Sequence, residues 1–287
     1  MVSVRIMAAQ ADWETLQGKL REIAVRQNVE VGIAVILDGH DTLVVNNDKR
    51  YPMMSVFKFH QALAVAGICA HRGLSFEDSI RIDSRDLRPD TYSPLRDRYP
   101  HGNLFLSIGD LLEYTLQLSD NNACDILFRE FGGPVAADSC LRRVGLHDFA
   151  IVATEDDMHA DVETCYGNWT SPLEAARLLD WFVTNRVVTG EYKTFIEHAM
   201  TACRTGSDRL PVPLAGTKAV LGHKTGTGDR NSRGEITGVN DIGFVLMPDG
   251  KRYTIAVFVK DVKDERMASR IIADVSTEVY RYVTGRN

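Results

Sequence analysis

Apolar residues near the start of the chain follow a helical period and then give way to short β-rich runs. From Ala8 to Gln27 they recur at spacings of three and four, which predicts an amphipathic helix. The residues on this face are Trp13, Leu16, Leu20 and Ile23. Val31–Leu37 and Thr42–Val45 flank an Asp-Gly turn at 38–41, so we expect two antiparallel strands after the helix.

The other end of the chain has the same elements in reverse order. Ile242–Met247 and Tyr253–Val259 lie on either side of Pro248-Asp249-Gly250, which predicts a second hairpin. A helical spacing then continues to the C-terminus through Ile271, Val275, Val279 and Tyr282. Because both ends supply strands and a helix, we expect one antiparallel sheet of about five strands, flanked by N- and C-terminal helices.

The middle of the chain, roughly Pro52 to Thr205, is dominated by helical patterns. They centre on four segments: Val56–His71, Ile108–Leu118, Asn122–Phe131 and Leu173–Val183. The sequence therefore predicts an α/β (α+β) fold with two lobes. Residues 1–51 and 206–287 would form a sheet-and-helix lobe, and residues 52–205 an inserted all-helical lobe. We expect one functional unit, with the ligand site in the cleft between the lobes.

Charge and hydropathy restrict the partners. The chain has 33 Lys and Arg against 39 Asp and Glu, a net charge of −6, so no general basic field exists to bind nucleic acid or an anionic membrane. The longest apolar run, Ala62–Cys69, is far shorter than the roughly 20 residues of a bilayer span, which predicts a soluble protein. Met1–Gln10 lacks a charged leader followed by an apolar core, so we expect either a cytosolic protein or one whose leader was removed.

The cysteines do not predict a metal site. None of their spacings is C-x-x-C or that of a zinc finger, and the odd count in a chain of this length favours buried free thiols. The five residues are Cys69, Cys124, Cys140, Cys165 and Cys203. We therefore expect neither a metal nor a cofactor.

Ser55-Val56-Phe57-Lys58 places a hydroxyl and an amine three residues apart at the start of a predicted helix. Positions i and i+3 share a helix face, so the Lys58 amine can reach the Ser55 hydroxyl. Serine needs a base to become a nucleophile, and lysine is one only where its surroundings hold it neutral. Taken alone, the motif would more simply be a serine N-cap and a solvated lysine.

Two further motifs follow along the chain. Ser119-Asp120-Asn121 lies between two predicted helices, where a tripeptide of this kind alone would be a helix cap. Lys224-Thr225-Gly226-Thr227-Gly228 ends a strand-like segment, and its glycines let a ligand lie against the strand. Alone it would be a β-turn, and it lacks the spacing of a phosphate-binding loop. The order S-x-x-K, S-D-N, K-T-G is the signature of class A β-lactamases and penicillin-binding proteins.

On these residues the sequence resembles the class A serine β-lactamases over nearly its whole length. The segments 54–60 and Glu155–His159 look most similar to the divergent branch rich in cephalosporinases and extended-spectrum enzymes. Glu155 matches the glutamate that separates β-lactamases from penicillin-binding enzymes. Three positions depart from the common form of its loop: Ala153 replaces an arginine, Met158 a leucine and His159 an asparagine. The ion pairing inside this loop is therefore in question.

The resemblance implies a serine acyl-enzyme mechanism. Ser55 would attack the lactam carbonyl, while the N–H groups of Ser55 and Thr227 stabilise the oxyanion. Either Lys58 or Glu155, acting through water, would remove the serine proton, and the sequence leaves this choice open. Ser119 would pass a proton to the departing nitrogen. Glu155 would then activate the water that releases the product, with His159 holding that water or merely packing in the loop.

The remaining implied residues bind the substrate. We expect cations and hydroxyl donors to bind the substrate carboxylate, and an amide side chain to bind the substrate's side-chain amide. The implied residues are Tyr92, Asn121, Lys224, Thr225, Gly226, Thr227 and, if it does not lie on the surface, Arg209.

The expected function is hydrolysis of the amide bond of cephalosporins and penicillins, which gives antibiotic resistance. The expected protein is a monomer, exported to the periplasm and without cofactor, that prefers cephalosporins to penicillins. The main alternative is a penicillin-binding D-Ala-D-Ala peptidase or a β-lactam sensor, which acylates without fast turnover. A serine-dependent glutaminase would share S-x-x-K only. A binding module without activity would leave the ordered motifs unexplained.

Overall fold

The computed structural model describes residues 2–26 and 28–285. Its helices are α1 (Val2–Val25), α2 (Phe57–Arg72), α3 (Pro94–Arg98), α4 (Ile108–Gln117), α5 (Asn121–Phe131), α6 (Gly133–Arg143), α7 (Glu155–Ala160), α8 (Pro172–Val183), α9 (Gly190–Thr201) and α10 (Glu265–Thr284). Its strands are β1 (Glu30–Leu37), β2 (Asp41–Val45), β3 (Tyr51–Pro52), β4 (Ser79–Ile82), β5 (Leu104–Ser107), β6 (Phe149–Ala150), β7 (Trp169–Thr170), β8 (Val220–Thr227), β9 (Ile236–Leu246) and β10 (Arg252–Val262). Gln27, the end of the first predicted helix, and Met1 lie outside the described residues.

The two ends of the chain form one five-stranded antiparallel sheet, as predicted. The strand order is β2-β1-β10-β9-β8, so β1 near the start pairs with β10 near the end. This pairing runs from Glu30 opposite Lys260 to Leu37 opposite Tyr253. Strand β8 lies at one edge and pairs with β9, which places Thr225 opposite Asp241. The K-T-G motif therefore lies on an edge strand with a neighbour on one side.

Each face of the sheet is covered by helices. One face packs on α1 and α10 through buried residues that include Leu20, Ile33, Val257 and Val275. The N-cap of helix α10 is Asp264, whose side chain accepts a hydrogen bond from the Arg266 backbone N–H. Its C-cap is Gly285, which has a left-handed backbone. Its apolar residues lie along one stripe, which explains why it packs against the sheet.

The other face of the sheet packs on the middle of the chain. Phe57 and Phe59 of α2, Phe182 of α8 and Phe244 of β9 are fully buried together. Burying an aromatic side chain of this size contributes roughly 1.5–3 kcal/mol. This core fixes the start of α2 against the sheet, which is where Ser55 lies.

The prediction of an all-helical middle segment is wrong in part. The predicted helices are present as α2, α4, α5 and α8, but the segment also contains a two-stranded sheet, β4-β5, and a three-stranded sheet, β3-β7-β6. These strands have two to four residues, too few to show an alternating pattern. Helices α6 and α9 were also not predicted; α6 begins with Gly133-Pro134, a pair typical of a turn but tolerated in a first helical turn.

The five cysteines are free thiols, as predicted, but they are not all buried. Cys69, Cys124 and Cys165 are buried, whereas Cys140 and Cys203 are partly exposed.

Across the described part of the chain, no helix combines the length and the apolar character needed to cross a membrane.

Candidate active site

Ser55 lies in a 3₁₀ turn, Met54–Val56, that leads directly into α2. The Nζ of Lys58, in the first turn of α2, lies 3.0 Å from Ser55 Oγ, as the spacing of three residues predicts. Met54 has a left-handed backbone with φ of 47°. This conformation is uncommon outside glycine and occurs most often where a functional site requires it.

Lys58 is fully buried and surrounded by oxygen atoms. Its Nζ donates hydrogen bonds to the backbone oxygen of Ser119 at 2.7 Å and to Asn121 Oδ1 at 2.6 Å. It also forms an ion pair with Glu155 Oε1 at 2.8 Å. A buried ammonium without partners would be strongly unfavourable. These contacts supply the partners and hold Nζ beside the Ser55 hydroxyl.

The S-D-N tripeptide is shaped by Asp120, the N-cap of α5. Its buried carboxylate accepts hydrogen bonds from the backbone N–H of Ala123 at 2.8 Å and of Leu95 at 2.7 Å, and from Ser93 Oγ. Ser119 before it has a left-handed backbone with φ of 61°. This backbone directs the Ser119 carbonyl oxygen to Lys58 and its hydroxyl to the opposite side of the site.

That opposite side is occupied by Lys224 of β8. Its Nζ donates to Ser119 Oγ at 2.8 Å and to the backbone oxygen of Thr225 at 2.9 Å. Burial, followed by the positive charge of Lys58, lowers the pKa of Lys224 to about 7. The structure thus places Ser119 between two buried lysines, one of which exchanges its proton near neutral pH.

Gly226 allows β8 to pass directly against the serine turn. A Cβ atom at this position would lie 2.7 Å from the backbone oxygen of Met53 and 3.2 Å from the backbone nitrogen of Ser55. Any side chain would therefore push the strand away. The following residue, Thr227, lines the same cavity as Ser55.

Glu155 begins the short helix α7, capped by Thr154. Its Oε1 accepts a hydrogen bond from Ser55 Oγ at 3.3 Å. The backbone N–H groups of Glu155 and Asp156 each donate to a different carboxylate oxygen of Asp125, both at 2.9 Å. Burial and the charge of Glu155 raise the pKa of Asp125 to about 7. Asp125 therefore holds the backbone that carries Glu155.

The loop around Glu155 is closed by amide hydrogen bonds. Asn168 is fully buried, and its Oδ1 accepts from the backbone N–H of Val152 at 2.7 Å and of Ala153 at 3.0 Å. Its Nδ2 donates to the Ala153 backbone oxygen at 2.9 Å. Ala153 is the position where the sequence lacks the arginine common in similar enzymes. The side chain of Asn168 thus connects the two ends of the loop without an ion pair.

Arg209 is buried and lies against β8, so the alternative of a surface arginine is excluded. Its guanidinium donates to the backbone oxygens of Gly226 at 3.2 Å and Asn240 at 3.0 Å, and to Thr227 Oγ1 at 2.7 Å. It also pairs with Glu265 at 3.2 Å. A second cation is thereby held beside the K-T-G motif.

Most of the predicted residues line one cavity of about 590 Å³, whereas Lys58, Lys224 and Gly226 are buried beside it. It is lined by side chains from the helices, from the loops and from β8, among them Ser55, Tyr92, Ser119, Asn121, Glu155, His159, Arg209, Thr225 and Thr227. Asn121 donates to Thr91 Oγ1 at 2.8 Å and accepts from Lys58, so its amide is fixed at the cavity wall. Tyr92 is 58% exposed and is therefore not a core residue.

His159 lies at the mouth of this cavity, between two acidic residues. Its Nε2 is 3.7 Å from Asp90 Oδ2, and its Nδ1 is 3.8 Å from Asp229 Oδ2. These contacts direct the imidazole towards carboxylates on two other segments.

Within residues 2–26 and 28–285, no group of three or more His, Cys, Asp and Glu side chains is arranged to hold a metal ion.

Sequence reasoning missed several supporting residues. Asp125 lies four residues after Asn121 on α5, so the helix places both on one side, but a lone aspartate in a helix carries no signal of its own. Asn168 follows Glu155 by 13 positions and meets the loop only in the folded chain. Thr91 is one polar residue in a polar loop. Their roles depend on contacts between segments distant in sequence.

Comparisons with known proteins agree with this geometry. The model of the Beta-lactamase enzyme family matches residues 15–283. A β-lactamase of Phocaeicola vulgatus is 39% identical over 254 residues, which are 88% of this chain and 79% of the relative.

Two solved structures share the fold at higher coverage. The extended-spectrum β-lactamase TLA-3 is 35% identical, with a TM-score of 0.91 over 94% of this chain and 98% of that chain. A class A β-lactamase from Bacteroides cellulosilyticus is also 35% identical, with a TM-score of 0.88 over 94% and 99% of the two chains. The serine and the glutamate of the cavity, with the two buried lysines beside them, thus occur in a chain that belongs to the β-lactamase enzyme family, as a class A enzyme.

Proposed function

We propose that this protein hydrolyses the amide bond of β-lactam antibiotics through a covalent ester on Ser55, which confers antibiotic resistance. The observation that carries this proposal is the position of Ser55 Oγ, 3.0 Å from Lys58 Nζ and 3.3 Å from Glu155 Oε1. A nucleophile in contact with both a lysine and a carboxylate has one group to help form the ester and another to remove it.

Acylation needs a group that takes the proton of Ser55. Two contacts of Lys58, the Ser119 carbonyl oxygen and the Asn121 amide oxygen, can only accept hydrogen bonds. Lys58 must therefore direct two hydrogens to them. The third substituent position on Nζ faces Ser55 and Glu155. One proton is shared among these three side chains, and its location decides whether Lys58 is an ammonium or a free base. Both Lys58 and Glu155 remain candidates for the acylating base.

The tetrahedral intermediate is stabilised by backbone groups. Gly226 brings β8 against the serine turn, so the N–H groups of Ser55 and Thr227 face the developing oxyanion. Collapse of this intermediate requires a proton on the lactam nitrogen. Ser119 supplies it, because Lys224 Nζ donates a hydrogen bond to its hydroxyl at 2.8 Å and can replace the lost proton.

Deacylation is the step that separates a β-lactamase from a penicillin-binding protein. Glu155 acts as the general base that activates water against the ester of Ser55. Its backbone is fixed by Asp125 and its loop by Asn168, so the carboxylate stays in contact with the site. We assign His159 to the same water, because it lies four residues later on α7.

The substrate carboxylate binds at the end of β8. Lys224 supplies charge, while Thr225 and Thr227 supply hydroxyl groups. Arg209 is positioned by its hydrogen bond to Thr227 Oγ1 to reinforce this charge. On the opposite wall, Asn121 binds the side-chain amide of the antibiotic, and the exposed ring of Tyr92 packs against its ring system.

Cephalosporins are the favoured substrate class. A neighbouring structure is that of an extended-spectrum β-lactamase, and the Thr227 hydroxyl lies beside the carboxylate site. We further propose that the enzyme acts as a periplasmic monomer. Residues 1–51 and 206–287 would form one lobe and residues 52–205 the other, with the cavity between them.

A chromogenic cephalosporin tests the proposal directly. The wild-type protein should release many product molecules per active site, and Ser55→Ala should release none above the background while keeping its thermal unfolding temperature. A stoichiometric burst without turnover would instead identify a penicillin-binding protein or a sensor. Values of kcat/KM for a cephalosporin and a penicillin then test the preference, which a strong bias towards penicillins would contradict.

A further inference from the structure

Three polar side chains that this mechanism does not use lie close together on or beside β8. Cys203 follows α9, His223 lies in β8 and Asp241 in β9. The Nδ1 of His223 lies 3.0 and 3.1 Å from the two carboxylate oxygens of Asp241. The same imidazole also interacts with the side chain of Cys203. A thiol, an imidazole and an orienting carboxylate in this order form an arrangement that activates sulfur as a nucleophile.

The charges of this cluster favour the thiolate. Burial opposes a charge on His223, but Asp241 and, after it, Cys203 raise the pKa of its imidazole to about 10, so the ring is cationic at neutral pH. Burial likewise acts to raise the pKa of Cys203, but the hydrogen bond and charge of His223 and the charge of Lys224 outweigh it and lower the pKa to about 7. Cys203 is therefore about half ionised at neutral pH.

The other cysteines lack such surroundings. Burial raises the pKa of Cys69 and of Cys165 to about 11 in each case, and it raises the pKa of Cys124 well above its ordinary value. Cys140 is partly exposed, like Cys203, and thus provides an internal reference for accessibility.

A short chain of contacts connects Cys203 with the substrate cavity. Its Sγ lies 3.4 Å from Thr205 Oγ1, which lies 2.5 Å from Thr225 Oγ1. Thr205 and Thr225 both line the cavity, and the backbone oxygen of Thr225 accepts a hydrogen bond from Lys224. An oxygen atom added to the sulfur on this side would displace Thr205, and with it the hydroxyl of the K-T-G threonine.

We propose that Cys203 is a redox-sensitive modification site that reacts with small hydroperoxides and thereby weakens substrate binding. The thiolate attacks the terminal peroxide oxygen, so a sulfur–oxygen bond forms and the oxygen–oxygen bond breaks. Sulfur loses two electrons and becomes a sulfenic acid. The peroxide gains them, and its leaving oxygen takes a proton to become water or an alcohol. A thiol reductant reverses the change through a mixed disulfide, with release of water.

The first experiment measures the chemistry without using activity. Hydrogen peroxide is added at pH 7 together with a reagent that traps sulfenic acids, and the labelled cysteine is identified by peptide mass spectrometry. The label should appear first on Cys203. Faster labelling of Cys140 would overturn the proposal. Because this readout does not depend on β-lactam turnover, it stands or falls separately from the proposed function.

A second measurement tests the role of His223. The rate of Cys203 alkylation by iodoacetamide should reach its half-maximum near pH 7 in the wild-type protein. An ordinary thiol would do so near its pKa of about 8.5. In His223→Gln the rate at pH 7 should fall about fourfold, since the lower thiolate fraction is partly offset by the higher nucleophilicity of the remaining thiolate. If that variant unfolds, the wild-type pH profile alone decides: a half-maximum above pH 8 contradicts the proposal.

The functional part rests on the proposed β-lactamase activity. Peroxide treatment should raise KM for a cephalosporin more than it lowers kcat, and dithiothreitol should restore KM. Cys203→Ser should be insensitive to the same treatment when compared with its own untreated sample, whereas Cys140→Ser should respond like the wild type. Sensitivity that persists in Cys203→Ser would overturn the link between this site and substrate binding.

Discussion

Asp125 holds Glu155 by its backbone: its carboxylate oxygens accept the N–H groups of Glu155 and Asp156 at 2.9 Å each. The proposed general base is thus positioned by a residue that does not line the cavity. Asp125→Ala should remove both bonds, at a cost of about 2–3 kcal/mol in unfolding free energy. It should also lower the deacylation rate more than the acylation rate.

Single-turnover kinetics separate these two rates for Asp125→Ala. Asp125→Asn is the matched control, because its amide oxygen still accepts one of the two bonds. It should keep more of the deacylation rate than Asp125→Ala. Equal losses in both variants would mean that Asp125 does not act by holding this backbone.

Glu155→Gln should trap the covalent intermediate. The amide keeps the shape of the side chain but cannot take a proton from water, so kcat should fall by about 10²–10⁴. Intact-protein mass spectrometry should then show the added mass of the opened antibiotic on Ser55. Glu163→Gln, an exposed residue in the same loop, should turn over normally.

This variant also resolves the identity of the acylating base. Rapid formation of the adduct in Glu155→Gln would show that Lys58 is sufficient for acylation. Slow acylation together with slow release would assign both proton transfers to Glu155. Free turnover without an adduct would place the deacylating group elsewhere.

Lys224 should give kcat/KM an alkaline limb. Burial lowers its pKa to about 7, so the lysine is charged below this pH and loses the charge that attracts the substrate carboxylate as pH rises through it. The value of kcat/KM should therefore decline above pH 7 in the free enzyme. Lys224→Arg retains its charge throughout this range and should flatten that limb, although the larger side chain lowers the maximum. A profile of wild-type shape in this variant would assign the limb to another group.

His159→Asn tests whether His159 holds the hydrolytic water. The His159 ring lies 3.7 Å from Asp90 and 3.8 Å from Asp229. The asparagine amide can hold the same water through a hydrogen bond, so this variant should preserve the deacylation rate at neutral pH. His159→Ala removes the hydrogen-bonding group and should lower that rate. An unchanged deacylation rate in His159→Ala would show that His159 only packs in the loop.

His60 should make the fold sensitive to acid. It is buried against Phe59 and Phe149, and burial lowers the pKa of its imidazole from 6.5 to about 4. The unfolded chain therefore binds the proton first as pH falls, and stability is lost progressively from about pH 6.5 down to pH 4. The full contribution is about 3 kcal/mol.

Chemical unfolding at a series of pH values measures this contribution. His60→Leu should reduce the slope of unfolding free energy against pH between pH 4 and 6.5. His71→Gln, an exposed histidine at the end of the same helix, should leave the slope unchanged. Equal slopes in the wild type and His60→Leu would contradict the assignment.

The sequence predicted those features that depend on local periodicity or on ordered motifs. The hairpins and terminal helices of the sheet lobe follow from apolar spacing, and Ser55 and Lys58 meet because a spacing of three positions joins the 3₁₀ turn to the first turn of α2. The short strands β3 and β7 could not be predicted, because they pair Tyr51 with Thr170 through chain that is distant in sequence. Contacts of this kind carry little signal in a single sequence.

The same limit applies within the site. The ordered motifs identify Ser119 and Lys224, and the structure shows them in hydrogen-bond contact. The motifs contain nothing about Asp125 or Asn168, because a lone polar residue gains its role from the segment that folds against it. Arg209 lies between these cases: its charge suggested a role, and only burial against β8 placed it beside Thr227.

The position of β8 at the edge of the sheet has a consequence for recognition. The strand pairs with β9 on one side, while its other side forms part of the cavity wall. An edge strand presents backbone N–H and C=O groups without a partner strand. An amide-bearing antibiotic that lies along Thr225–Thr227 can therefore occupy the place of a sixth strand. The backbone groups of β8 then bind its peptide-like backbone, whichever side chain the antibiotic carries. Variation in the antibiotic side chain is then accommodated at the opposite wall, without loss of this shared mode of binding.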